Sequence, residues 1–228
     1  MVSFKNVSKK FGTIVALSNV SFNVEPGEFV FITGASGSGK TTVLRMILRD
    51  ILPDSGEIKV WGKNIASLKV KDISLHRRSI GMVFQDFKLL ADRTIGENVG
   101  LALSVAGMPQ SRREGRIKEA LTQVGLKDRS SSFPVQLAGG ELQRAVVARA
   151  IIGAPKLILA DEPTGNLDQD TAWSIVELLE KIRGGGTTVI MATHNREIVD
   201  RIHSHVIELR EGRVVRDKTS AKYKESED

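Results

Sequence analysis

The stretch EFVFITGASGSGKTTVLRMI, residues 28–47, limits the possible folds more than any other part of the chain. Its apolar run, rich in aromatic and β-branched residues, predicts a buried strand that enters a glycine loop. An apolar helix from Lys40 to about Leu48 follows. Gly34 to Thr41 fits G-x-x-x-x-G-K-[ST] in the strand–loop–helix setting that gives the pattern its meaning. Glycines let successive backbone N–H groups curl around a phosphate. Lys40 then reaches the β- and γ-phosphates, and the Thr41 hydroxyl is placed to ligate Mg²⁺. The expected nucleotide cradle is Gly34, Ala35, Ser36, Gly37, Ser38, Gly39, Lys40, Thr41 and Thr42.

The rest of the chain reads as strands alternating with helices around a helical middle. VSFKNV, SFNVEPGEFVFITG with a turn at Pro26-Gly27, and GEIKVWGK are β-rich. From Phe87 to Ala154 the pattern is mostly helical, and SRREGRIKEALTQVGL puts Ile117, Ala120, Leu121 and Val124 on one face with Gly125 as the stop. Alternation returns with the strand KLILAD, a helix through Trp173, Ile175, Val176 and Leu179, and the strand TTVIMATH. HVIELREGRVVRD is a hairpin turning at Glu211-Gly212, and the polar tail at 219–228 reads as flexible. Alternating β and α elements predict a parallel sheet with ligands at its strands' carboxyl ends. The expected organisation is one α/β domain, with residues 1–86 and 155–218 forming the core and 87–154 inserted as a helical subdomain.

LILADE ends an apolar strand with two carboxylates, a costly placement unless they emerge at a functional edge. Adjacent strand residues point to opposite sides. Asp161 therefore suits the Mg²⁺ shell, and Glu162 is left to polarise an attacking water. His194, at the carboxyl end of TTVIMAT, is placed to hydrogen-bond a γ-phosphate, and Gln85, after IGMVF, to coordinate Mg²⁺ and sense that phosphate. LAGGELQR, Leu137 to Arg144, starts a helix, and Gly139 and Gly140 would let a second anion approach its N-terminus.

Composition removes several alternatives. A chain of 228 residues that is 41% hydrophobic buries a sizeable core, and it has no run of 18 apolar residues and no signal-peptide pattern. These features predict a soluble, cytoplasmic chain. The absence of cysteine excludes disulfides and thiolate metal sites. The net charge of +6 is scattered rather than gathered in a stripe, which speaks against a nucleic-acid partner.

GASGSGKT, VFQD, LAGGELQR, LILADEPTGNLD and MATH occur in the order and approximate spacing of the nucleotide-binding domains of ABC transporters, and the resemblance covers essentially the whole chain. It implies a P-loop NTPase (RecA-like) α/β core with an N-terminal antiparallel β subdomain and an inserted α-helical signature subdomain. By the same resemblance Phe11 stacks on adenine, Gln85 is the Q-loop glutamine, Glu162 the catalytic base and His194 the switch histidine. Asp168 belongs to the loop that crosses to a partner, and Ala138, Gly139, Gly140 and Glu141 face the γ-phosphate held by that partner. The implied cofactors are ATP and Mg²⁺, and the implied assembly is a head-to-tail homodimer formed on ATP.

The chain departs from the family at Ala138, where serine is usual, at Asn195, where aspartate follows the histidine, and at Leu142, often glutamine. RRSIGMVFQDFKLLADRTIGENV is most similar to the cell-division branch. That likeness implies an integral membrane partner of FtsX type, a peripheral position on the inner face of the cell membrane, and control of peptidoglycan hydrolases. An ATPase of lipoprotein- or macrolide-type exporters and a non-hydrolysing regulator are the alternatives.

Overall fold

The computed structural model describes residues 1–202 and 204–218, so the tail at 219–228 lies outside the described residues. Two sheets organise the fold. The first is antiparallel, with strands β1 (Val2–Phe11), β2 (Ile14–Val24), β4 (Ser55–Val60) and β5 (Lys63–Asn64) in the order β2-β1-β4-β5. The second contains β3 (Phe29–Thr33), β6 (Ile80–Val83), β7 (Leu157–Asp161), β8 (Thr188–Thr193), β9 (His205–Arg210) and β10 (Arg213–Lys218) in the order β10-β9-β3-β8-β7-β6. Its pairs are parallel apart from the antiparallel β9–β10 hairpin. Gly27 takes φ 77 in the Pro26-Gly27 turn, which carries the chain from one sheet to the other rather than closing a hairpin.

β3 is buried on both faces, which explains its uninterrupted apolar run. Phe29 and Phe31 pack with the helical middle of the chain, and Val30 and Ile32 pack with the antiparallel sheet and α1 (Lys40–Ile47). Helices α3 (Ile95–Val105), α4 (Gln110–Gln123) and α5 (Gly139–Ile151) share the first of these cores through Val99, Leu103, Leu121, Val124 and Val147. Thr94 and Glu97 form a reciprocal cap at the start of α3, and Gly125 takes φ 78 just beyond α4. α5 also lies tightly on the parallel sheet, since a Cβ on Gly81 would stand 2.5 Å from the Ala150 carbonyl oxygen.

α6 (Gln169–Gly184) follows the pattern read from Trp173 to Leu179. Two helices escaped the apolar pattern. α2 (Val70–Arg78) leaves Val70 and Leu75 exposed and buries His76, whose ring meets Trp61 edge-on at 5.5 Å. α7 (Arg196–Arg201) is a six-residue helix capped by Asn195. Among the described residues no helix is long and apolar enough to cross a membrane.

Candidate active site

The site forms where β3, β7 and β8 end, at the carboxyl edge of the parallel sheet. Gly34 and Gly39 take φ values of 143 and 107, out of easy reach of other residues. Added Cβ atoms there would stand 2.2 Å from the Leu209 carbonyl oxygen and 2.7 Å from that of Ala16. The loop is thus pressed between β9 and β2. α1 opens at Lys40 with no side-chain cap on its first N–H groups, leaving them for an anion.

Lys40 is buried, with Nζ donating to the carbonyl oxygens of Gly34 (2.8 Å) and Ala35 (3.2 Å) and lying 3.3 Å from Glu162 Oε1. Ser38 is buried with its hydroxyl unpartnered. A loop of left-handed glycines holding a buried ammonium and an unsatisfied hydroxyl suits a polyphosphate. The Thr41 hydroxyl donates to Asp161 Oδ1 at 3.1 Å across 120 residues of sequence. This pair supplies hard oxygen donors. No group of three or more His, Cys, Asp or Glu side chains among the described residues forms a protein-only metal cage. The oxygen pair of Thr41 and Asp161 fits a Mg²⁺ ion that takes its other ligands from phosphates and water. Burial, and then the charge of Glu162, push the Asp161 carboxyl above its usual range against the opposing Thr41 hydrogen bond.

Glu162 lies beyond the end of β7 and has φ 46, so strand alternation is not what separates the two carboxylates. A left-handed backbone turns Glu162 away instead, the kind of strain that collects at functional positions. One carboxylate oxygen faces Lys40 and the other lies 3.0 Å from His194 Nδ1. Because an ionised carboxylate only accepts, the ring donates from Nδ1. Lys40, Glu162 and His194 are thereby brought together, and His194 also lines a cleft of about 800 Å³ with residues 34–38, Glu208 and Arg216.

The remaining candidates form a second group. Gln85 lies against the loop after Glu162, since a Cβ on Gly165 would stand 3.0 Å from its Nε2, and Asn166 Nδ2 donates to its carbonyl oxygen at 3.3 Å. Asp168 caps α6 by accepting from the Thr171 N–H at 2.9 Å, which lowers its carboxyl below the ordinary range. The signature start packs on the same region. Cβ atoms on Gly139 and Gly140 would stand 3.5 Å from Leu167 and 2.5 Å from Thr171 Cγ2. At Ala138 only half of a capping box exists: Glu141 Oε2 accepts from the Ala138 N–H at 3.1 Å, and alanine has no oxygen to return the bond. Arg129 holds the other Glu141 oxygen at 2.9 Å, so this carboxylate is committed within its own chain.

Phe11 stands apart, 43% exposed at the end of β1, with the Lys9 ammonium 5.5 Å from its ring. It pairs with Ile14, two residues before the Ala16 carbonyl that presses on Gly39. Asn195 caps α7 by accepting from the Ile198 N–H at 3.3 Å, the work an aspartate would do there. Reading by motif passed over Asn166, although it lies inside GNLD. It also passed over Gln143 and Arg149, whose helical pattern gives no sign that they reach the Q-loop backbone.

Comparison with known proteins agrees with this geometry. The family model described as "ABC transporter" matches residues 17–165. The chain is 47% identical over 225 residues to the cell division ATP-binding protein FtsE of Streptococcus pneumoniae serotype 2, covering 98% of this chain and 97% of that protein. It is 46% identical to FtsE of Bacillus subtilis, covering 98% of each. Among solved structures, the dimeric ATP-binding cassette MJ0796 in a post-hydrolysis state with ADP and Pi matches with a TM-score of 0.87 and 37% identity, over 98% of this chain and 100% of that one. The P-loop, the paired carboxylates and the full-length likeness together place the chain in the ABC transporter family, as an ATPase cassette among the FtsE cell-division ATP-binding proteins.

Proposed function

We propose that two copies of the chain close head-to-tail on two ATP molecules, and that the cycle of closure and hydrolysis drives an integral membrane protein of FtsX type. The observation that carries this reading is the convergence of Lys40 and His194 on Glu162 beside the P-loop, while the Ala138–Glu141 start packs on the loop of Asp168. A signature that serves the partner's phosphate completes two equivalent sites by two-fold symmetry.

Within each site, residues 34–42 hold the phosphates through backbone N–H groups, Ser38 and Lys40. Thr41 and Asp161, with Gln85, would hold Mg²⁺, and the ion when bound would supply charge neutralisation to the phosphates. Glu162 takes the proton of the attacking water, and His194 orients that carboxylate and contacts the γ-phosphate. Phe11 stacks on the adenine. Asp168 and the Ala138–Glu141 helix start face the other copy.

Residues 87–154 act as the helical arm that carries closure outward from a core made of 1–86 and 155–218. Its docking surface for the membrane partner is the segment Phe87 to Asn98, next to Gln85, which seats the chain peripherally at the inner face of the membrane. Likeness to the FtsE proteins of two species at 46–47% identity supports the cell-division role over an exporter role. Sedimentation of Glu162→Gln with Mg²⁺ and ATP, against ADP, tests the closure. A dimer with ATP alone is expected. A monomer that still binds ATP would overturn dimerisation without the membrane partner.

A further inference from the structure

The segment after β6 makes an unusual set of hydrogen bonds. Between Phe84 and Lys88, four carbonyl oxygens are taken by side chains from distant elements rather than by a backbone ladder. Gln143 Nε2 donates to Phe84 (3.4 Å), Asn166 Nδ2 to Gln85 (3.3 Å), and the two Arg149 amino groups to Phe87 (2.8 Å) and Lys88 (2.5 Å). The chain bends sharply here, since the Lys88 N–H returns to the Asp86 carbonyl at 2.6 Å, and both Phe87 and Lys88 have left-handed backbones, φ 58 and 49. Two successive non-glycine residues in that region persist only where their surroundings hold them.

The planar fork of Arg149 is that hold. A guanidinium offers two parallel N–H donors to two successive carbonyls, whereas lysine offers a single point of donation. Arg149 stands on α5, ten residues beyond the Gly139 at which that helix begins, so the two ends move together across roughly 15 Å.

We propose that Arg149 is a positioning residue through which α5 fixes the strained turn after Gln85, so that the Q-loop follows the signature helix of its own chain. This rests on the reading of Gln85 as the γ-phosphate sensor. On that basis, closure of the signature on a partner's ATP repositions Gln85 in the same chain through Arg149.

The test uses the full chain as Arg149→Gln and Arg149→Lys, with thermal melts as a check on folding. Tryptic cleavage after Lys88, read by mass spectrometry, reports the clamp directly, because the Lys88 side chain is 55% exposed. In both variants cleavage at Lys88 should quicken about tenfold and kcat should fall about tenfold, while KM and the affinity for a fluorescent ATP analogue with Mg²⁺ stay within about twofold. Adding Lys88→Gly to Arg149→Gln should restore most of kcat, because glycine takes the left-handed backbone without strain. A merely structural arginine would give no such rescue.

Unchanged cleavage at Lys88 overturns the clamp, as does a parallel loss of kcat and nucleotide affinity. Unchanged kcat with faster cleavage overturns the role in turnover. Gln85→Ala then separates the two ideas. If it impairs kcat, the sensor reading stands and the Arg149 proposal alone fails; if it turns over normally, the sensor reading fails. Should Arg149→Gln not fold, Arg149→Lys alone decides: wild-type cleavage and kcat in that variant overturn the proposal.

Discussion

Ala138→Ser separates two physical effects that meet at one atom. Ala138 is the N-cap of α5 with φ −72 and ψ 160, a conformation in which a serine oxygen accepts from the N–H of Glu141, three residues on. The Glu141 carboxylate already bonds the Ala138 N–H, so serine completes a capping box whose other half is in place. The cap should add about 1 kcal/mol. For a chain of this size that raises the melting temperature by roughly 2–4 °C without nucleotide.

The same hydroxyl keeps its proton for donation. In the closed dimer it would give the partner's γ-phosphate a charge-assisted hydrogen bond of about 1.5–3 kcal/mol per site. At 1.4 kcal/mol per factor of ten, the ATP concentration for half-maximal turnover should fall by at least about tenfold. Melting without nucleotide and turnover against ATP concentration read the two effects independently. A higher melting temperature with an unchanged or raised ATP requirement would refute trans recognition through position 138 and leave the cap argument standing. An unchanged melting temperature would refute the cap.

Asp161→Asn should raise the melting temperature without nucleotide at pH 7. The folded carboxyl titrates above its unfolded value of 3.8, so its ionised form opposes folding in full once the pH exceeds both values. The asparagine keeps an acceptor for Thr41, and the extra stabilisation that Mg²⁺-ATP gives the parent chain should disappear. His76 is pushed below 6.5 by burial, with its Nε2 donating to the Ile47 carbonyl at 2.7 Å. An unfolded chain therefore binds more protons between the folded value and 6.5, and stability present above pH 6.5 should be lost as pH falls through that window. Denaturant midpoints measured from pH 8 to 5.5 should show this fall in the parent and a shallower one in His76→Gln, whose amide can keep the Ile47 bond. Equal slopes would remove His76 as the cause.

The chain's local chemistry was legible from its letters wherever a residue's role follows from its immediate neighbours. EFVFIT could only be a strand covered on both faces, and the glycines of GASGSGKT mark left-handed positions, as Gly34, Gly37 and Gly39 prove to be. The α4 face and its stop at Gly125 follow from the helical period alone. α2 was hidden because its buried residue is a histidine held by Trp61, a partner the helical pattern does not encode. The divergence of Asp161 and Glu162 could be expected, but its cause could not: strand alternation was the wrong reason, and a left-handed turn beyond β7 is the right one. Asn195 caps the helix that begins at its own neighbour, a local contact, whereas Arg149 acquires its two carbonyls only when elements distant in sequence are packed. Short-range periodicity and steric freedom belong to the sequence itself, whereas the partner of a polar side chain depends on which element ends the fold brings within hydrogen-bond reach, as it does for Thr41 at the start of α1 and Asp161 at the end of β7, 3.1 Å apart across 120 residues.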